Sequence, residues 1–210
     1  MADATGEPLL EFLEDMRRLR RDCPWKREQT HRSLGRYLQE ETAETLEAID
    51  NADDDHLREE LGDLLLQVYF HAVIAEESGA FTLDDVVRGI RAKMHRRNPH
   101  VFGRDAGARS PAELTAAEVD ARWQQIKAAE KPRRTAYDGI AATLPALLLA
   151  TKILEREPGA AEGLPDAGNS TADVGGRLLA LVAECTAAGV DPEQALRDAV
   201  RRAVPPDRRD

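Results

Sequence analysis

Apolar residues recur along most of this chain at intervals of three and four, the spacing of one helix face rather than the alternation of a half-buried strand. The first such stretch predicts a helix from about Glu7 to Arg21, with Leu9, Leu10, Leu13, Met16 and Leu19 as its stripe and Cys23-Pro24-Trp25 as its break. A second helix is expected from His31 to about Asp50, with Thr30 as N-cap, and Asn51-Ala52-Asp53-Asp54-Asp55 reads as the turn after it. The third runs from about His56 to Ser78. Its stripe Leu57, Leu61, Leu64, Leu65, Val68 and Ala72 is assigned to the core, and Gly79 is a left-handed stop. Thr82 and Asp85 open a fourth helix that ends near Arg97, before Asn98-Pro99. Ser110-Pro111 with Glu113 is expected to open a fifth, reaching about Glu130, with a linker at 131–134.

Composition agrees with an all-α fold, since Ala, Leu, Glu and Arg dominate and aromatics make up only 4% of the residues. A chain of 210 residues, 42% of them hydrophobic, can bury a core in one domain or in one domain with a smaller companion. Its two cysteines, Cys23 and Cys185, have neither zinc spacing nor a disulfide framework, which points to a reducing compartment. With no apolar run long enough to span a bilayer and an acidic rather than basic N-terminus, the expected location is the cytoplasm.

Charge changes the picture more than composition does. The net charge of −10 argues against a nucleic-acid polymer as partner, but the charges are segregated. From Glu40 to Asp63 there are eleven acidic residues against the single basic Arg58, and then Arg88, Arg91, Lys93, Arg96, Arg97 and Arg104 follow without an intervening acid. Glu41 with Glu44, and Glu60 with Asp63, are pairs three residues apart, so each pair presents its oxygens on one helix face. If the two helices form an antiparallel hairpin, the pairs differ in height by only ~3 Å at ~1.5 Å per residue. Converging carboxylates repel unless a cation lies between them, and hard oxygen ligands of this kind select Mg²⁺ or Mn²⁺. Gly62, in the middle of the second acidic helix, costs up to ~1 kcal/mol against Ala and suggests a close contact there.

The motif Glu40-Glu41-x-x-Glu44, a spacer, then Glu60-x-x-Asp63 resembles that of the MazG-type nucleoside triphosphate pyrophosphohydrolases, all-α enzymes related to dimeric dUTPases. Cys23-Pro24-Trp25 with Gln29-Thr30-His31, the segment Arg96-Arg97-Asn98-Pro99-His100-Val101-Phe102, and Trp123, Ile126, Lys127, Glu130 and Lys131 are similar to further motifs of that family. Lys26 stands where the family usually has Asp, and Asn98 where it usually has His. The resemblance implies a helical bundle of the MazG and dimeric dUTPase type that cleaves NTPs or dNTPs between the α and β phosphates, giving a monophosphate and pyrophosphate in nucleotide-pool housecleaning. It implies Glu41, Glu44, Glu60 and Asp63 as Mg²⁺ ligands, with Mn²⁺ a possible substitute, and Lys93, Arg96 and Arg97 as triphosphate contacts. Trp123 would stack on the base, with Trp25 and His31 as further nucleoside-pocket candidates. Glu40 or Glu41 is the candidate general base.

The catalytic helical domain is expected over residues 1–132, and a helical C-terminal segment over 133–210. Leu144-Pro145-Ala146-Leu147 resembles the start of the second domain in two-domain members, and Asp173-Val174-Gly175-Gly176 can be laid on Glu60-Leu61-Gly62-Asp63, with Gly176 in place of the Asp63 carboxylate and no counterpart of the Glu40-Glu41-x-x-Glu44 helix. The segment therefore reads as a degenerate second repeat that cannot assemble four ligands. By the same resemblance a homodimer is expected. The alternative is a non-catalytic helical nucleotide-binding or regulatory scaffold, which would release no pyrophosphate.

Overall fold

The computed structural model describes residues 6–103, 114–130, 135, 137–161 and 174–203, and among them there is no strand. Helix α1 (Glu7–Asp22) ends where Pro24 begins the short α2 (Pro24–Glu28). α3 (His31–Asn51) and α4 (Asp54–Glu77) then form a long hairpin, followed by α5 (Leu83–Arg97), α6 (Pro99–Phe102) and α7 (Ala116–Glu130). The backbone divides into two compact units, Met1–Trp123 and Gln124–Asp210. In the second, α8 (Ala146–Leu154), α9 (Val174–Ala187) and α10 (Pro192–Ala203) pack on one another, burying Leu154 and Val182.

Each boundary of the hairpin has a local cause. Thr30 Oγ1 accepts from the Ser33 amide at 3.1 Å while Ser33 Oγ accepts from the Thr30 amide at 2.9 Å, a reciprocal cap that fixes the start of α3. The turn is only Ala52 and Asp53. Ala52 is held at φ 53°, a left-handed position normally left to Gly or Asn, and the Asp53 carboxylate caps α4 by accepting from the Asp55 and His56 amides. Gly79 takes φ +69° after α4, as the sequence led one to expect. α5 starts on the reciprocal cap of Thr82 and Asp85. The helix expected to open at Ser110-Pro111 is found as Ala116–Glu130, capped by Thr115 and Glu118, and residues 110–113 lie outside the described residues, as does the linker at 131–134.

The core of the first unit is the cluster Leu13, Met16, Leu34, Tyr69, Phe70 and Val73, where α1 and α3 meet α4. This corrects the stripe assigned to the core of α4. Leu61, Leu65 and Val68 are 52%, 38% and 44% exposed, and the face that goes inward carries Glu60, Gln67, Phe70 and Val73. α4 is apolar on two faces, and α1 and α3 cover one of them. The close contact inferred at Gly62 is also absent from this chain, because a Cβ there would meet nothing within 4 Å. On α1, Leu13 and Met16 are buried whereas Leu9, Leu10 and Leu19 are exposed.

One buried cation ties these pieces together. Arg20, only 8% exposed, donates to both oxygens of Glu77 on α4 (2.8 and 2.5 Å) and to the carbonyls of Arg27 and Gln29 at 3.0 Å, with a further contact to the Lys26 carbonyl. A single guanidinium thus docks α1 on α4 and fixes the α2 segment. The bond from Arg20 holds the Glu77 carboxyl below its ordinary range, against the opposing effect of burial. Arg20→Ala is expected to lower stability by about 2–3 kcal/mol, somewhat under the value for a fully buried pair because Glu77 is half exposed. Arg17→Ala, which breaks the more exposed pair with Glu76, should cost under about 1 kcal/mol. The Glu77 contribution is present above the ordinary carboxylate range and is lost as pH falls through the depressed value, so urea titrations should show the Arg20 effect shrinking in acid.

Candidate metal centre and nucleotide cleft

Residues on α3 and α4 that are nearly twenty positions apart meet because the two-residue turn sets the register of the hairpin. One carboxylate oxygen each from Glu41, Glu60 and Asp63 lies within 4.8 Å of the others. Glu44, on the same face one turn along, is exposed and stays outside that tight group, but its charge reaches Glu41. Glu60 is the buried member, 7% exposed. Its Oε1 is 3.0 Å from His56 Nε2, one turn earlier on α4, and its Oε2 is buried with no hydrogen-bond partner among the described residues. Gln67 Nε2 lies 3.4 Å from Glu41 Oε1, and the Glu41 carbonyl accepts from Thr45 Oγ1 at 2.7 Å.

The Glu41 carboxyl is pushed above the ordinary carboxylate range. Burial is the largest cause, and the charges of Asp63, Glu44 and, least, Glu60 add to it, while the Gln67 amide works against it. This is the behaviour of an oxygen cluster made for a cation. An orphaned buried carboxylate oxygen and an all-oxygen donor set fit a hard divalent ion and leave little reason to expect zinc-type N and S ligation. His56 and Gln67 were not anticipated, although both stand at the four-residue helical spacing from Glu60 and Asp63 that signals a supporting contact.

The other expected site residues are placed less tightly. Glu40 is exposed and lies outside the carboxylate group. Lys93, Arg96 and Arg97 are on α5, which packs on α4. The Arg97 guanidinium stands 5.0 Å over the ring of Trp123, so these two are brought together, and Trp123 braces that cation as well as offering a ring face. His95 stacks on Phe102, with ring centroids 4.2 Å apart, a packing role. His31 pairs with His71, Nδ1 to Nδ1 at 2.7 Å, tying the start of α3 to α4. Burial, and then the neighbouring His31, lower the pKa of His71.

A second feature lies on α3 toward its N-terminus. An open cleft of about 600 Å³ runs between α2 and the first turns of α3, walled by Trp25 and Tyr37, whose rings meet edge to face at 6.0 Å. Arg36 lies on this wall with its guanidinium 4.4 Å over Tyr37, and Arg32 lines the cleft one turn before it. Arg36 and Tyr37 are one helical turn from Glu40 and Glu41, about 6 Å along the axis, so cleft and carboxylates are adjacent. Lys26, the departure from the family's Asp, has its ammonium 5.5 Å over Trp25 and 5.1 Å over Phe70, two aromatic faces that accept a cation.

Comparison with known proteins follows the same lines. The MazG nucleotide pyrophosphohydrolase domain matches residues 29–102, which hold the acidic hairpin and α5. A nucleoside triphosphate pyrophosphohydrolase/pyrophosphatase MazG from Thermotoga maritima is 37% identical over 220 residues, covering 94% of this chain and 82% of that protein. This chain belongs to the MazG family. A nucleoside triphosphate pyrophosphohydrolase of Escherichia coli K12 is 46% identical over 151 residues, though the match takes in only 55% of that longer protein. An uncharacterized protein from Streptomyces cacaoi is 43% identical over 200 residues, 80% of its length. The crystal structure of a mazG-related protein from Thermotoga maritima aligns with a TM-score of 0.47 at 27% identity, over 58% of this chain and 97% of that one.

Because burial, and then the neighbouring carboxylates, raise the Glu41 pKa, the charged form of this side chain opposes folding once pH passes the ordinary carboxylate range and climbs through the raised value. In EDTA, Glu41→Gln should therefore raise the melting temperature near pH 7 by a few degrees, about what 1 kcal/mol gives in a chain of this size. The gain should disappear near pH 4. Circular dichroism melts at the two pH values measure it, and an equal shift at both would contradict the repulsion.

Proposed function

We propose that this MazG-family chain is a Mg²⁺-dependent pyrophosphohydrolase that cleaves nucleoside triphosphates to monophosphate and pyrophosphate in nucleotide-pool housecleaning. The observation that carries the reading is the convergence of carboxylate oxygens from Glu41, Glu60 and Asp63, of which Glu60 is buried with one oxygen that has no hydrogen-bond partner among the described residues. Glu41, Glu60 and Asp63, with Glu44 beside them, would hold the ion, and Mn²⁺ is the natural substitute. A divalent cation there supplies charge neutralisation for the triphosphate and an activated water.

The protein groups have separate tasks. His56 fixes one oxygen of Glu60, leaving the other directed to the cluster, and Gln67 orients Glu41. Glu40, exposed beside the ligand set, or Glu41 within it is the candidate general base. Lys93, Arg96 and Arg97 receive the phosphates, Arg with paired donors that Lys lacks. Trp123 holds Arg97 in place and can offer its ring to the nucleotide. A non-catalytic nucleotide-binding scaffold is separated from this reading by pyrophosphate release, which it would not produce.

We propose a homodimer as the working state. α3, α4 and α5 each leave large apolar side chains exposed, among them Leu38, Ile49, Leu61, Leu65, Val68 and Ile90, more than a soluble monomer normally shows to water. Open space above Gly62 suits a close approach on that face. We further read residues 133–210 as a degenerate second repeat that cannot assemble four ligands, since Gly176 stands where Asp63 does in the first and no E-E-x-x-E motif accompanies it.

Glu60→Gln or Asp63→Asn should lower Mg²⁺-dependent pyrophosphate release on the order of a hundredfold or more, beyond the loss typical of residues that only support a ligand. Turnover retained in both would remove the carboxylates from the chemistry. Glu41→Gln should lose activity, and Glu40→Gln, if it keeps most of it, leaves Glu41 as the base. Leu65→Glu is expected to convert the dimer to monomer in sedimentation equilibrium, and an unchanged mass would place the interface elsewhere.

A further inference from the structure

Resting on the pyrophosphohydrolase reading, we infer that the Trp25–Tyr37 cleft holds the nucleobase and that Arg36, assisted by Arg32, selects bases with a carbonyl edge, guanine and uracil, over adenine and cytosine. The argument is a count of which polar groups in the cleft are still free to bind. Gln29 donates its amide to the Trp25 carbonyl at 3.0 Å and accepts from Ser33 Oγ at 2.8 Å. Thr30 Oγ1 and Ser33 Oγ are both committed to the reciprocal cap of α3. These three are spent on local structure. The charged groups that remain are both donors: Arg36, which uses one nitrogen on the Tyr37 hydroxyl, and Arg32, which makes no ion pair among the described residues.

A cleft whose charged groups are both guanidiniums, with no carboxylate in its lining, favours one kind of base edge. Guanine presents O6 and N7, and uracil presents O4, all acceptors that a guanidinium can meet. Adenine and cytosine present an amino group at the corresponding place, where it would face a guanidinium, a donor, in place of the carbonyl oxygen. Trp25, 49% exposed and steadied by its edge-to-face contact with Tyr37, offers an aromatic surface on which a planar ring can stack. The phosphate chain belongs one turn further along α3, at the carboxylates that hold the ion, which leaves the cleft to the other end of the nucleotide. Lys26 adds a further cation beside Trp25, and Glu40, whose charge reaches Arg36, lies outside the cleft lining.

The test compares kcat/KM for GTP, UTP, ATP and CTP by pyrophosphate release, with the sugar held constant, in the wild type, Arg36→Ala, Arg36→Lys and Arg32→Ala. GTP and UTP should be preferred over ATP and CTP by about tenfold or more, the scale of one good guanidinium–base pair. Arg36→Ala should level the four by raising KM for GTP and UTP with kcat nearly unchanged. Arg36→Lys should keep part of the preference, and Arg32→Ala should weaken it less. An equal fall for all four nucleotides would overturn the inference and make Arg36 a phosphate contact, and so would an unchanged order or a wild-type preference for ATP and CTP. Should no nucleotide yield pyrophosphate, the pyrophosphohydrolase reading fails, and calorimetric titration of GMP and AMP into the wild type decides the cleft on its own. Tighter GMP binding that is lost in Arg36→Ala supports the inference, while equal binding or none refutes it.

Discussion

Mutual repulsion among acidic side chains on two neighbouring helices governs how this molecule is built. Glu41, Glu60 and Asp63 bring carboxylate oxygens within 4.8 Å of each other, and one of them, Glu60, is nearly sealed from water. Such a cluster opposes folding in the absence of a cation, so the surrounding structure has to hold it. It does so with a two-residue turn that permits no slip, a capped start for each helix, and a packed core of Leu34, Phe70 and Val73 behind the acidic face. The cost of assembling like charges is the reason a metal ion would bind there tightly.

Support for the site extends beyond the hairpin through Arg20. Its guanidinium ties α1 to the far end of α4 and collects backbone carbonyls of the α2 segment. That segment carries Trp25 and Gln29, so the same buried cation that stabilises the bundle also positions one wall of the cleft. Tyr37 has the complementary double role, packing against the core cluster on one side and lining the cleft on the other. Core packing and the cleft therefore share residues, and Glu41 and the cleft lie on consecutive turns of α3.

Much of this was legible from spacing alone. Caps at Thr30 and Thr82, the stop at Gly79 and the facing acidic pairs depend on local chemistry, which sequence expresses directly. What spacing could not reveal was which of two apolar faces of α4 turns inward. Leu61, Leu65 and Val68 have the periodicity of a core stripe, yet they are exposed, because Tyr69, Phe70 and Val73 offer an equally apolar face and α1 and α3 cover that one. The short helices α2 and α6 also escaped notice, since Pro24 and Pro99 read as breaks when each in fact begins a helix from its first position. His56 and Gln67 were hidden for another reason: a residue that supports a ligand has no motif of its own, only a distance from one.

The central claim is that the carboxylate cluster is strained by its own charge and relaxed by a divalent cation. Calorimetric titration of Mg²⁺ into the protein near pH 5, repeated in two buffers of different ionisation enthalpy, tests it most directly, because it counts protons displaced as the ion enters. The account predicts saturable binding with net proton release, both lost in Glu60→Gln. Binding with no proton release, or none that depends on Glu60, would contradict it.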